Sequence, residues 1–463
     1  MDRMTRRALG LVIALTLALC APAAAQEKVM TVKGASGPGP AKFDRVFVSK
    51  FGRADARRVL VLMPGTSGGA GNFTLVARTL VKRMPGIQVW AIDRRTQALE
   101  DTSLFRQVLA GDATLREAFD YYLGWLTDSS IRPHYTPLDA ADFDFARDWG
   151  MSLALRDARR VVLKARAGGR RQVILGGHSL GASLTTAYAS WDFNGKPGYR
   201  DIDGMVLIDG GLLGSFNAFT KDQAQAALDS LEESNPFADL IGAGLPEATG
   251  LFAEIGGLYS RLDPRGDATF LQDFPLLPSY FDPGFPVTFR GLFTYALDRD
   301  SPTPDTLSLI QVNAGSLAQG GDPRDWVDGG VTTAARLARA FGQEPSNGVE
   351  WFFPKRLSID TNGANQLRQN GAAKLLGLRL RHLSRVDLPL YSIETSLAGG
   401  RVLLGARNFI KAAQTTKAES VLVDADPKFS HLDPLIASTS KNDFLETVPG
   451  FLRRAFDAAD QRR

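Results

Sequence analysis

Short apolar runs recur along this chain, and stretches of helical period separate them. Arg45-Val46-Phe47-Val48, Val59-Leu60-Val61-Leu62 and Val89-Trp90-Ala91-Ile92 are such runs, as are Val173-Ile174-Leu175 and Met205-Val206-Leu207-Ile208. Their length and β-branched content predict strands, most of them buried on both faces. From Phe73 to Met84 the apolar positions Leu75, Val76, Leu80 and Val81 follow helical spacing. From Met151 to Ala167 the positions Leu153, Leu155, Ala158, Val161, Val162 and Ala165 do the same, and Gly168-Gly169 stops the helix. The stretch from Asp101 to Phe145 reads as longer, helical and partly irregular. After Gly211 the rhythm breaks. It resumes with a strand at Leu388-Pro389-Leu390-Tyr391-Ser392-Ile393, a helix over Ala406 to Ala413, a strand at Val421-Leu422-Val423 and an amphipathic helix over Phe444 to Ala459. Strands alternating with helices predict an α/β fold, a mostly parallel sheet with helices on both faces.

The interrupting segment, 212–386, is rich in proline and glycine, as in Phe281-Asp282-Pro283-Gly284-Phe285-Pro286. Helical pieces are predicted at Asp222 to Leu231 and Thr332 to Phe341. Phenylalanines are dense there, with Phe270, Phe274, Phe281, Phe285, Phe289 and Phe293, then Phe352 and Phe353. They read first as the insertion's own small core. An apolar wall for an acyl chain is the functional alternative.

In open α/β sheets the chemistry sits at the carboxyl ends of the strands. Ser179, Asp209, Asp93, Glu394 and His431 all fall at or just after such ends. Gly177-His178-Ser179-Leu180-Gly181 has the glycine–x–serine–x–glycine spacing of a sharp strand-to-helix turn, which exposes a serine hydroxyl at a fixed angle. The small residues Ala182 to Ala187 after it suit the helix such a turn requires. A serine needs a base to become a nucleophile, and histidine is the usual one. The chain has 4 histidines. His178 lies inside the turn, His134 precedes the serine, and His382 lies before the penultimate strand. His431, in the loop after the last strand, alone fits the order serine, acid, histidine.

The base needs a carboxylate to hold its tautomer. Asp209 ends the strand after the serine turn, and Gly210-Gly211 lets a partner come close. Glu394 ends the penultimate strand and is the alternative. Asp209 is preferred on position. Asp424, Asp426 and Asp433 read as turn formers. An oxyanion needs two backbone donors. One is the N–H of Leu180; the other comes from Met63-Pro64-Gly65-Thr66-Ser67-Gly68-Gly69-Ala70-Gly71, with Thr66 first and Ser67 as the fallback. A phosphate loop is a poor rival for this segment, because no Gly-Lys-Ser/Thr ending exists.

Composition narrows the setting. The chain has 463 residues, 44% of them hydrophobic and 22% charged, which is ordinary globular composition. Arg3, Arg6 and Arg7, the apolar run Ala8 to Leu19 and Ala23-Ala24-Ala25 read as a signal peptide over 1–25, with Gln26 the mature start and secretion or the periplasm the destination. A retained anchor is the competing reading, against which the run is short. Thr5-Arg6-Arg7 hints at the twin-arginine route. Cys20 is the only cysteine. Leu19 before it disfavours lipidation. The mature chain then has no thiolate nucleophile, no disulfide and no cysteine zinc site. Removing 1–25 deletes three arginines and Asp2, so the net charge falls from +4 to +2. The basic residues are scattered among acidic ones, which excludes a nucleic-acid footprint.

The serine turn, Pro64-Gly65-Thr66 and His431 together resemble the α/β-hydrolase family. The resemblance covers Phe43 to Gly211 and Leu388 to Ala459, and divides the mature chain into a core first part (26–211), a cap or lid insertion (212–386) and a core second part (387–463). Many members have His-Gly where this chain has Pro64-Gly65. The family's usual acid position after the penultimate strand is empty, which agrees with an acid at Asp209. The resemblance implies an exported serine esterase or lipase-like enzyme acting on a small-molecule ester, with an apolar acyl chain as one option, without metal or organic cofactor. A serine peptidase of the same fold and a catalytically silent secreted binding protein are the alternatives.

Overall fold

The computed structural model describes residues 27–214, 216–342, 348–413 and 420–461. The signal-peptide reading of 1–25 and Cys20 lies outside the described residues. The strands are β1 (Lys28–Lys33), β2 (Arg45–Phe51), β3 (Arg58–Met63), β4 (Ile87–Asp93), β5 (Gln172–His178), β6 (Gly204–Ile208), β7 (Gly315–Leu317), β8 (Trp326–Asp328), β9 (Leu390–Glu394) and β10 (Val421–Asp424). Eight of them form one sheet in the order β1-β2-β4-β3-β5-β6-β9-β10, and β7 and β8 pair separately. β1 and β2 are antiparallel to their neighbours; from β4 to β10 the sheet is parallel.

The strands separate two cores by simple alternation. Val59, Val61, Trp90, Val173, Leu175, Met205 and Leu207 face one, with Leu155, Ala158 and Val162 of the helix Met151–Arg166. Leu60, Leu62, Val89, Ile174, Val206 and Ile208 face the other, with Val76 and Leu80 of the helix Thr74–Arg83 and Phe444, Val448 and Phe451 of the helix Asp443–Gln461. Every predicted strand and helix exists, with ends shifted by a few residues. The helix expected over Ala406 to Ala413 begins earlier, at Arg401. β1 escaped prediction, because Lys28-Val29-Met30-Thr31-Val32-Lys33 is a half-exposed edge with only Val32 buried.

Register sets the level of the site. Met63 pairs with Gly177, His178 with Ile208, and Ile208 with Ile393. β3, β5, β6 and β9 therefore end together, and Pro64, Ser179, Asp209 and Glu394 emerge on one edge. Between β6 and β9 the chain forms the helices Lys221–Glu232, Ala248–Leu262, Phe289–Leu297, Ala334–Phe341 and Lys355–Ala364, with the β7–β8 hairpin. Phe293, Leu297, Leu337 and Phe341 of this segment belong to the same buried cluster as Leu60 and Phe444. Its phenylalanines are mostly buried, as the core reading expected, though Phe270 and Phe285 are only half-buried.

The helix Leu180–Ser190 passes very close to β3. A Cβ on Gly181 would lie 2.0 Å from the carbonyl oxygen of Met63 and 2.8 Å from that of Pro64. Both obstacles are backbone and cannot rotate away. Gly181→Ala is expected to cost at least the ~1–3 kcal/mol of an overpacked core, read as a lower denaturant midpoint. An unchanged midpoint would refute this account of the turn.

Candidate active site

Ser179 sits at φ 55° and ψ −120°, a region that ordinary residues avoid. Its N–H donates to the carbonyl of Ile208 at 2.8 Å, and its own carbonyl accepts from Ala182 at 3.0 Å. The strand end and the helix start thus hold the strained residue from both sides. The backbone of Gly210 approaches so closely that a Cβ there would lie 2.2 Å from the Ser179 carbonyl oxygen.

His431 and Asp209 meet. The His431 Nδ1 lies 2.6 Å from Asp209 Oδ2, with both side chains buried. Asp209 also accepts from the Thr395 N–H at 2.8 Å and from the Thr395 hydroxyl. Burial opposes its charge, but His431 and the hydrogen bonds from His431 and Thr395 outweigh burial and hold the carboxyl below its ordinary value. Asp209 is therefore a carboxylate at neutral pH. It accepts from Nδ1–H and leaves Nε2 as the basic nitrogen. Among the described residues that Nε2 has no hydrogen-bond partner, Ser179 Oγ included, and His431 lines the same cavity as Ser179.

Glu394 faces elsewhere. Its two oxygens accept from the backbone N–H groups of Gly400 and Leu403, the latter at 2.6 Å, at the start of the helix Arg401–Ala413. Thr395 stands at the position after the penultimate strand, where no acid was found in the sequence, and holds Asp209.

The other histidines are apart from this pair's chemistry. His134 stacks on Trp125 with centroids 4.3 Å apart. His382 lies 3.8 Å from Asp192. His178 is buried beside His431, and its Nε2–H donates to the His431 carbonyl at 2.9 Å. Burial first, and the neighbouring His431 second, push its pKa down to about 3. It stays neutral and tethers the His431 backbone, a role that sequence position alone did not suggest.

Leu180 and Thr66 both line the Ser179 cavity. Among the described residues neither N–H donates to another backbone group. The first turn of a helix leaves such donors free. For Thr66 the cause is Arg94. Its Nη2 donates to the carbonyls of Pro64 at 2.7 Å and Gly65 at 2.8 Å. In a trans peptide the N–H points opposite to the C=O. Turning the Gly65 carbonyl towards Arg94 therefore turns the Thr66 N–H away from it. Ser67, the fallback donor, has a positive φ of 47°, and its carbonyl accepts from the Glu350 N–H at 2.8 Å. Glu350 in turn accepts from Arg94 Nη1 at 2.5 Å and from the Thr96 hydroxyl. Asp93, expected at a strand end, accepts from the Ala70 N–H at 2.5 Å, and burial raises it to about 7.

Asp433 is more than a turn former. It accepts from the Ser430 N–H at 2.6 Å, the Asn313 N–H at 3.0 Å and the Thr332 hydroxyl at 2.6 Å. It fastens the His431 loop to the inserted segment. Spacing gave no signal for Arg94, Glu350, Thr395 or Asp433, since each acts across a long separation in sequence.

A family model described as the alpha/beta hydrolase family matches residues 60–356, and the chain belongs to that family. Among curated proteins no sequence matches. Similar solved structures include a Sulfolobus solfataricus protein assigned as a lipase, 14% identical, with 92% of this chain and 94% of that one covered and a TM-score of 0.49. A carboxylesterase structure from Nitrososphaera gargenis is 11% identical, with 89% and 96% covered and a TM-score of 0.40. The thioesterase domain of the curacin biosynthetic pathway is 14% identical, with 93% and 99% covered and a TM-score of 0.40.

Arg94→Lys keeps a cation for Glu350 but cannot hold two carbonyls in one plane. With Ser179 as nucleophile and the Thr66 N–H as oxyanion donor, the reading proposed below, turnover should fall by up to about 10²-fold, the scale of losing one such donor. An unaltered rate would show that Thr66 is set without Arg94. Asp433 gives a pH prediction. Burial raises its pKa to about 7 in the folded protein, so the native state binds this proton more tightly than the unfolded chain. Its contribution to stability is full below the unfolded value, about 3.9, and is lost as pH rises through about 7. Asp433→Asn should flatten that decline when urea midpoints are measured from acid to neutral pH; an identical slope would contradict the assignment.

Proposed function

We propose that this protein hydrolyses carboxylic esters through Ser179, His431 and Asp209. The observation that carries the reading is the 2.6 Å contact of His431 Nδ1 with Asp209, with His431 and Ser179 lining one cavity and Nε2 unpartnered among the described residues. Membership of the alpha/beta hydrolase family supports hydrolysis as the reaction class.

In this reading His431 Nε2 takes the Ser179 proton as the oxygen attacks the ester carbonyl carbon. The carbonyl π electrons move onto oxygen, where the Leu180 and Thr66 amides receive the charge. Asp209 stabilises the imidazolium without taking its proton. The tetrahedral intermediate collapses, the C–O bond to the alcohol breaks, and His431 protonates the departing oxygen. Water then attacks the acyl-enzyme with His431 again as base, and returns Ser179 and the free acid.

The reading also includes export, on the pattern of 1–25. Among the described residues no helix is long and apolar enough to cross a membrane. The silent-protein alternative would be favoured by a histidine without its acid, and His431 has one.

A fluorophosphonate probe tests the site directly. Wild type should label and Ser179→Ala should not. Asp209→Asn should lower kcat by up to about 10⁴-fold, because the amide favours the wrong imidazole tautomer. Glu394→Gln should label normally and lose only about 1 kcal/mol of stability as a weakened helix cap. Labelling that survives Ser179→Ala, or that depends on Glu394 rather than Asp209, would overturn the assignment.

A further inference from the structure

Three cavities are linked by shared lining residues, and Ser179 lines two of them. The first is the open one, lined by Ser179 and His431 together with the polar residues Ser358, Thr361, Asn362 and Arg401. The second is small and is lined by Gly65, Thr66, Ser67 and Gly68 of the loop after β3. It shares Thr66, Ser179, Leu309 and His431 with the first cavity. The third is lined by the inserted segment together with Leu123, and shares Ile310 and Val349 with the second.

The third cavity differs in chemistry from the first. Phe252, Phe274, Phe281, Phe289 and Phe293 wall it, and no charged side chain lines it. It opens between the helices Ala248–Leu262 and Phe289–Leu297. Close packing normally leaves few voids in an interior, and a space lined almost entirely by apolar and aromatic side chains is suited to an apolar group. The phenylalanines read as core from sequence therefore also enclose a space.

We propose that the acyl chain of the substrate runs from Ser179 past Leu309, Ile310 and Val349 into the phenylalanine-walled cavity, while the alcohol occupies the open polar cavity. The substrate class is an ester of a medium- or long-chain fatty acid with a polar alcohol. This rests on the ester-hydrolase reading of Ser179. The direction follows from the order of events. The alcohol leaves first and the attacking water arrives next, so both need the open side. The acyl group stays bound to Ser179 between the two steps, and the enclosed side shelters it. Arg401 and Asn362 suit a leaving group that carries hydroxyl or anionic oxygens.

The test uses 4-nitrophenyl acetate, octanoate and dodecanoate with wild type and with Ala253→Phe and Ala296→Phe. These two half-buried alanines line the far cavity on facing helices, away from Ser179. Each buried methylene is worth about four-fold, so kcat/KM should rise with chain length in wild type. Either filling variant should cut dodecanoate turnover by at least about ten-fold and leave acetate within about two-fold. A parallel measurement follows dodecanoic acid binding to Ser179→Ala by calorimetry, with and without Ala253→Phe. Ester turnover that is Ser179-dependent but has no chain-length rise, or a rise that neither filling variant alters, overturns the acyl-cavity proposal and leaves the ester reading intact. Dodecanoic acid binding that Ala253→Phe abolishes, without any Ser179-dependent ester turnover, overturns the ester reading and keeps the cavity. Loss of acetate and dodecanoate turnover in equal measure in both variants counts against the cavity.

Discussion

The site depends on how closely three pieces of backbone approach one another at the end of β5. Gly177, Gly181 and Gly210 are the contact points. A Cβ on any of them would lie within 2.0–2.3 Å of a neighbouring backbone atom. Without side chains there, the helix Leu180–Ser190 packs directly on the ends of β3 and β5, and Gly210 passes beside Ser179. The strain at Ser179 persists because its backbone is held by hydrogen bonds to Ile208 and Ala182 and by the close pass of Gly210. The same packing brings the Leu180 N–H, the Thr66 loop and the Asp209 strand end within reach of one point. Hydrogen bonding and charge refine that point, but close approach creates it.

The sequence made this centre legible for a physical reason. The serine turn is local: its glycines, strand and helix are contiguous, so their pattern is complete in a few residues. The strands from β2 onward were legible because most of them are buried on both faces and carry unbroken apolar runs. β1 was not, since it buries only Val32 and shows no strong alternation. Asp209 over Glu394 was a judgement of position in the sequence; the structure supplies the geometric reason, as Glu394 is occupied with Gly400 and Leu403 and Thr395 turns Asp209 towards His431. Arg94, Glu350 and Asp433 had no signature. Their work is done on partners distant in sequence, and a lone arginine or aspartate reads as an ordinary surface charge until the contact is seen.

Those distant contacts change the meaning of the inserted segment. The oxyanion loop is held by Arg94 and Glu350, and it also pairs with the insertion through the Gly69 N–H and the Gly348 carbonyl at 3.2 Å. The histidine loop is held by Asp433, which reaches Asn313 and Thr332, and the Leu432 N–H donates to Gln311 at 3.2 Å. Both loops that complete the site therefore end on residues of 212–386. Phe293, Leu337 and Phe341 extend the same apolar cluster into the sheet's own core.

An insertion tied in this way cannot act as a lid that swings off as a unit. Moving it would part Glu350 from Arg94 and expose the apolar surface of Phe293, Leu337 and Phe341 that now belongs to the sheet's core. It would also release the Gly65 carbonyl and with it the direction of the Thr66 N–H. On the proposed reading, such a protein would lose its oxyanion donor in the act of opening. Access is better served by a route that leaves both ties intact, and the open cavity bounded by Ser358, Asn362 and Arg401 is such a route. The chemistry and the substrate path are then one structural problem: the residues that form the walls of the insertion also aim the groups at its floor.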